Sequence, residues 1–566
     1  MERGPFAAIV VVGSPVLVRL FTHAPWWVGA VVLVGLVVMV TVRVAGRTAA
    51  RWLIDWAEYR FGHEARARER TKPARLVDVQ VAAGVCGVHE AGTTVVAMIQ
   101  LAPDLDLPTV IADHTLYTED TIPVRMLLPM LDQFGIHVDI DIVTTGQRVR
   151  QTGSYSMLYD QLIGTHPVVG ERLTWLVVRL DQERNLHTLS KRGLCAEVAP
   201  KAVASAAHRI AGRLRERGIA AHVLPASALR DATRQLHAGV ELTDLRETWS
   251  CLESSVPGRT VTSFLIDWDK LDGAELDDCW SWNRGRTTMV VSLTSSAVGP
   301  RALVRFVGPP VSDSLPAYLR TLNGGQSQAL LASLPASVTT HALRPDAGTA
   351  DVAAEEFAAD LAVSIGPNGQ ILGAISGQPR HTLALPLFDP VRYNPRHRTI
   401  DVQAKLPVVQ QILLRAMVVG AEVEIHSSRP NNWRQLVAAV GDPRSLRLAA
   451  EPTPTEGADG GADYESAATI AVFDRVPPRG SQAHTTLTIS EPGSTRRRAA
   501  DLSISQVGAA AIDVGIPMRT VRVDLIEPRG ETRYFDAVEE QPAIGAGPSE
   551  ASAPVAVGQP GGRRVS

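Results

Sequence analysis

Two apolar runs open the chain, 6–18 and 26–42, and a stretch dense in arginine follows them. Each run is short against the ~20 residues that cross a bilayer core of about 30 Å. Arg19 extends the first run by snorkelling its charge to the headgroups. Trp26 and Trp27 place amphipathic rings at the start of the second. Gly13-Ser14-Pro15 kinks the first helix, because proline has no N–H. No small-x-small cleavage site precedes His23, so the first run does not read as a secretory signal. The pattern predicts a membrane protein with an N-terminal two-helix transmembrane hairpin over 1–45, its spans at about 5–21 and 26–43.

From Arg43 to Arg75 nine basic residues stand against four acidic ones, while the loop between the runs carries only Arg19. Basic residues close to a span stay cytoplasmic. The expected localisation is the plasma (inner) membrane, multi-pass, with both termini and the soluble region cytoplasmic. Arg43, Arg47 and Arg51 join Arg19, Trp26 and Trp27 as membrane-interface residues. Trp52, Trp56 and Tyr59 recur at i, i+4 and i+7, which predicts a basic juxtamembrane helix over 46–75. It suits a neck leaving the bilayer, an amphipathic helix lying on its inner surface, or a neck packed on a partner.

Beyond residue 76 strands and helices alternate. A hairpin is expected from 77–88 and 93–101, a helix over 127–134 ended by Gly135, and an alternating strand over 136–143. A buried strand at 174–180, a helix at 202–217 and a strand at 220–224 form a strand–helix–strand unit, which favours parallel pairing. Further strands are expected at 261–268, 287–294 and 302–307, with a helix over 316–334 interrupted near Asn323-Gly324-Gly325. This first α/β block runs over 76–345. A second, 346–450, holds a strand at 399–404, a helix at 408–419, a strand at 421–426 and a helix over 432–440 capped by Asn431. A Pro/Gly/acid-rich linker (451–467), a small C-terminal β-rich piece (468–530) and a tail expected to be disordered (531–566), poor in bulky apolar residues from Ala537 on, complete the chain.

Composition adds boundaries. With 566 residues and 45% apolar content the chain supports more than one core, and a net charge of −3 gives no footprint for nucleic acid. Cys86, Cys195, Cys251 and Cys279 show no CxxC spacing and read as reduced core residues. No phosphate-cradling GxxxxGK[ST] loop, GxGxxG turn, HExxH pair or GxSxG elbow occurs, so no cofactor is expected and the chain is not expected to be an enzyme.

One constellation bears on chemistry. His137, Asp139 and Asp141 alternate along one expected strand and so share a face. An Asp-x-Asp at a strand end can hold a divalent cation through hard oxygen ligands. That would make the chain a membrane-tethered glycosyltransferase; the plainer alternative is a strand with a wet face. A second place is 426–433 (His-Ser-Ser-Arg-Pro-Asn-Asn-Trp), where a strand gives way to a helix and Arg429 could assist an anion.

Five segments occur in order: Phe134-Gly-Ile-His-Val-Asp-Ile-Asp-Ile-Val143, Thr174-Trp-Leu-Val-Val-Arg-Leu-Asp-Gln-Glu-Arg-Asn185, Thr248-Trp-Ser250, Thr287-Thr-Met-Val-Val-Ser-Leu-Thr294, and Leu322-Asn-Gly-Gly-Gln with Ala332-Ser-Leu-Pro335. Together with the apolar start and basic neck they resemble the EccE family, the E component of the type VII (ESX) secretion membrane complex, over roughly residues 1–450. The resemblance implies a structural subunit assembling with EccB, EccC and EccD at the bilayer, and no catalytic residue to carry over. It also implies a soluble fold likened to glycosyltransferases.

Overall fold

The computed structural model describes residues 27, 28, 31, 34, 35 and 43–535. Excepted within that range are 45–46, 73–74, 113–114, 151–152, 272–275, 283–284, 297–298, 312–314, 344–359, 450–467, 479–480, 495–499 and 518. Two helices lead in, α1 (Ala49–Phe61) and α2 (His63–Thr71). Gly62 separates them at a close approach, since a Cβ there would sit 2.6 Å from the Glu58 carbonyl oxygen.

Among the described residues the body is built on two sheets of twelve strands each, with short two-stranded pairings beside them. In chain order come β1 (Arg75–Val81), β2 (Gly84–Ala91), β3 (Thr94–Leu101), β4 (Thr109–Ala112), β5 (Thr115–Tyr117), β6 (Asp139–Gln147) and β7 (Glu171–Asp181). Next are β8 (Ala221–Val223), β9 (Arg246–Glu247), β10 (Leu252–Glu253), β11 (Thr260–Ile266), β12 (Arg286–Leu293), β13 (Arg301–Gly308) and β14 (Leu319–Thr321). The remainder are β15 (Gln370–Ile375), β16 (Gln378–Leu385), β17 (Arg398–Gln403), β18 (Val423–Ser427) and β19 (Leu446–Leu448), followed by β20 (Ile470–Asp474), β21 (Thr485–Ser490), β22 (Leu502–Gly508), β23 (Ala511–Ile516) and β24 (Arg519–Asp524).

The first sheet runs β9-β10-β11-β13-β12-β6-β7-β3-β2-β1, with β8 added to β3 and β14 to β11, and every pairing in it is antiparallel. The 22-residue helix Cys195–Glu216 lies on one face and buries an alanine-rich stripe (Ala199, Ala202, Ala206, Ala207) with Val203 and Ile210. Small side chains let a helix approach a sheet closely. The strand–helix–strand unit does form, but β7 and β8 both pair with β3, on opposite sides, so they run parallel without touching. The strand expected at 77–88 is broken in two at Ala82–Ala83.

The second sheet runs β19-β18-β20-β21-β17-β22-β23-β24-β15-β16-β4-β5, parallel from β19 to β22 and antiparallel thereafter. Helices Leu406–Val418 and Asn431–Val440 make its crossovers. The second core also takes Tyr155, Tyr159 and Ile163 from helix Tyr155–Ile163, which lies between β6 and β7 in the chain. That insertion and the β4–β5 hairpin tie the two sheets together.

Several expectations are corrected. The transmembrane hairpin falls almost wholly outside the described residues, and among the described residues no helix is long and apolar enough to cross a membrane. The hairpin and its multi-pass topology are therefore withdrawn. The runs are short, one is broken by Gly-Ser-Pro, and both are rich in β-branched valine, which is a modest helix former. The C-terminal β-rich piece is not separate. β20, β21 and β22 are interior strands of the second sheet, and among the described residues β17 pairs with β21 and β22 alone. Its four expected segments read as a small unit only because 451–467 interrupts the polar–apolar pattern. No α-helix forms at 127–134. Pro129 lacks the N–H that would continue it, and the chain makes 3-10 turns at Val124–Met126 and Leu128–Met130. The helix expected over 316–334 is strand β14 followed by a helix only at Gln326–Ala332. Asn431 does not cap by its side chain; the helix starts at that residue, behind Pro430.

Candidate functional site

The most developed site is the dock that holds α1 and α2 on the first sheet. Thr248 accepts the Cys251 N–H at 3.2 Å and donates to the Cys251 carbonyl at 2.8 Å, a hydroxyl-closed turn that fixes Trp249. Trp249 stacks on Trp52 (centroids 5.5 Å apart, 28° between planes) and meets Tyr59 edge-on at 5.2 Å. Such offset and T-shaped contacts match the ring quadrupoles. Beneath the indole lies Gly324, at φ +77°, and a Cβ there would reach the Trp249 ring at 2.8 Å, so only glycine fits. The Gly324 N–H donates to the Trp249 carbonyl at 2.7 Å. Gln326 is buried and anchors this loop, accepting the Ser263 N–H at 2.9 Å and donating to the Ser263 carbonyl at 3.1 Å.

Charge completes the dock. Glu247 accepts from Arg66 at 2.8 Å and from the Ser327 N–H at 3.1 Å, and Arg70 lies 3.8 Å away. Arg66 also donates to the carbonyls of Glu58 (2.6 Å) and Tyr59 (2.8 Å), so it staples the two helices. Arg70 reaches the Leu245 carbonyl at 3.0 Å and the Ser327 hydroxyl. Burial pulls the Arg70 guanidinium below its ordinary value, and Glu247 pushes it back. Two residues of the basic neck are thus structural cations held by one buried carboxylate.

The other residues singled out in the sequence are placed as follows. Asp141 is fully buried against Arg179 and accepts from the Ser292 hydroxyl at 2.5 Å. Arg179, pulled by burial down to about 10, also donates to the carbonyls of Ala336 (2.9 Å) and Leu334 (2.8 Å). Asp139 pairs with Arg184 at 3.0 Å. His137 sits before β6 rather than on it. Its backbone N–H and C=O are both clamped by Asn185 at 2.8 Å, and its ring is 3.5 Å from Asp132. Each carboxylate of the Asp-x-Asp therefore has an arginine, and among the described residues no group of three or more His, Cys, Asp or Glu could hold a metal. In the segment 426–433, Arg429, Ser427 and Trp433 all donate to Asp474, at 2.9, 2.7 and 2.9 Å. Burial raises the Asp474 carboxyl, but these donors win and hold it below the usual carboxylate range. Arg19 and Trp26 lie outside the described residues; Trp27 is exposed, and of Arg43, Arg47 and Arg51 only the backbone is described.

Sequence reasoning missed two buried clusters. Arg415 pairs with Glu531 at 2.9 Å, with Gln411 donating to the same carboxylate at 2.7 Å and the Tyr155 hydroxyl donating to it as well. At the junction of the sheets, Arg172 lies 5.1 Å over the Trp280 ring and 3.7 Å from Asp277, whose carboxylate accepts from Trp280 Nε1 at 3.1 Å and Ser364 at 3.0 Å. An arginine inside an apolar strand run was the available signal, at Arg172, Arg179 and Arg305.

These arrangements define a class: a two-sheet α/β body with a docked basic neck, in which Asn185, Arg179 and Gln326 of the distinctive segments hydrogen-bond within the body. The family model EccE, described as a type VII ESX secretion system translocon, matches residues 168–266, which include β7 and the Trp249 turn. The chain is 24% identical to the ESX-2 secretion system protein EccE2 of Mycobacterium tuberculosis over 469 residues, 80% of this chain and 82% of that protein. It is 29% identical to the ESX-1 secretion system protein EccE1 of the same species over 242 residues, 42% of this chain and about half (51%) of that relative. Against the ESX-5 protein EccE5 of Mycobacterium marinum it is 28% identical over 337 residues, 56% of this chain and 80% of that protein. The family-model match and these relatives support an EccE family member.

Proposed function

We propose that this chain is a structural, non-catalytic subunit of a type VII ESX secretion complex at the plasma membrane, supporting protein export by assembling with EccB, EccC and EccD type components. Membership of the family of ESX secretion system proteins supports the assignment to such a complex. One structural observation carries the non-catalytic part. The residues of the segments that mark the family spend their polar groups internally: Asn185 on His137, Arg179 on Leu334 and Ala336, Gln326 on Ser263. Function then lies in shape and attachment, with the neck dock fixing how the body is carried. The glycosyltransferase reading finds no support, because Asp139 and Asp141 face Arg184 and Arg179.

The test is extraction of the tagged full-length chain from native membranes in mild detergent, followed by identification of co-purifying proteins. Other membrane components of the secretion system are expected. Recovery of the chain alone, as a monodisperse monomer, would refute the assembly reading.

A further inference from the structure

Helix α1 has two faces, and the dock uses only one. Trp52 and Tyr59 turn inward to Trp249. Leu53, Trp56 and Arg60 follow i, i+3, i+7 spacing along the flank beside the docked rings, with Trp56 bordering Trp52 and Tyr59, and Phe61 ends the helix. Leu53 is 45% exposed, Trp56 50% and Phe61 77%, a cluster of large apolar side chains with an arginine among them. Both acids of the helix, Asp55 and Glu58, lie off this stripe at helical spacing. The chain before it, from Arg43 to Arg51, adds three arginines and no acid.

We infer that this outer face of α1 is a binding surface for anionic lipid, lying in the headgroup region with Leu53, Trp56 and Phe61 inserted and Arg60 on the phosphates. Three physical features select lipid over a protein partner. Tryptophan's amphipathic ring favours the membrane–water boundary. Apolar residues on one side with cations interleaved, and no acid on the stripe, match a helix lying in the plane of an anionic surface. The dock holds the adjacent face through the Trp249 rings, while Glu247 holds α2 through Arg66 and Arg70, so the body would sit at a set distance and tilt from the bilayer. The inference takes from the proposed function only that the chain resides at a membrane.

The test uses the full-length protein reconstituted into phosphatidylcholine vesicles with and without phosphatidylglycerol. The chain has ten tryptophans, so the Trp56 signal is obtained as the difference between wild type and Trp56→Phe. In vesicles containing phosphatidylglycerol that difference signal should be quenched by acyl-chain-brominated lipid and shielded from iodide. Arg60→Gln should reduce the lipid-engaged fraction about fivefold, and added salt should act in the same direction. Quenching by iodide and not by brominated lipid overturns the inference. So does a signal insensitive to both, which would mean that protein, such as a second copy, covers the face. Both variants change exposed side chains, so folding is not at stake. Co-purification of Trp56→Phe with its membrane partners is scored separately, so the assembly reading can stand or fall independently.

Discussion

The two sheets are equal in strand number and opposite in construction. In the first, strands are antiparallel and most neighbours lie close in sequence, so β1–β3, β6–β7 and β12–β13 pair across short or single insertions. In the second, the parallel half interleaves distant segments: β17, from 398–403, has its two neighbours at 485–490 and 502–508. Parallel pairing needs a crossover connection, and here the helices Leu406–Val418 and Asn431–Val440 carry the chain outward before β20 and β21 return to fill the gap. The lesson is that the second sheet depends on its far C-terminal third, whereas the first does not.

That contrast can be broken. Termination after Ala450 removes β20–β24 and leaves β17 without a partner on either side. We expect the amides of 398–448 to lose hydrogen-exchange protection altogether, while β6, β7 and β12 keep theirs. Next in size, Glu531→Ala strands the buried Arg415 and should cost ~3–5 kcal/mol in denaturant unfolding. Asp141→Ala, which strands Arg179, should cost a comparable amount through the first sheet. Equal exchange losses in both sheets for either variant would show that they unfold as one unit.

Smaller effects probe the attachments. Trp249→Ala removes two aromatic pairs worth about 0.5–1.5 kcal/mol each, and should raise exchange in 49–71 with little change in global unfolding. At the junction, burial lifts the Asp120 carboxyl to about 6, with the neighbouring Asp104 charge adding to the lift against a hydrogen bond from the Asp104 backbone and the Arg172 charge. A raised folded value favours the protonated form. The Asp120 contribution is therefore fully present below the unfolded value near 4 and is lost as pH rises through about 6. Asp120→Asn should remove this slope, a difference on the order of 1 kcal/mol between pH 4 and 7 in paired unfolding curves.

Local pattern made much of the first sheet legible. Continuous apolar runs at 174–180 and 287–294 are strands buried on both faces, and the alanine stripe of 202–217 is the face of a helix. The dock was half visible. The Trp52/Tyr59 spacing and the segments around Trp249 and Gly324 were each identifiable, but nothing in their sequence separation, close to 200 residues between Trp52 and Trp249, joined them. At Pro129 the missing N–H overrides the helical periodicity of 127–134, and the chain takes 3-10 turns there.

By itself the sequence determined the likeness to the EccE family through its ordered segments, and it determined the strand and helix content of the strongly periodic segments and the basic, aromatic character of the neck, because these follow from side-chain spacing a few residues apart. The tertiary structure alone decided that Asp141 faces Arg179, that Arg66 and Arg70 share Glu247, and that the C-terminal strands lie inside the second sheet. Pairing and burial of charge depend on which distant segments meet. That choice is made by closing two common cores, a cooperative event that local periodicity does not encode.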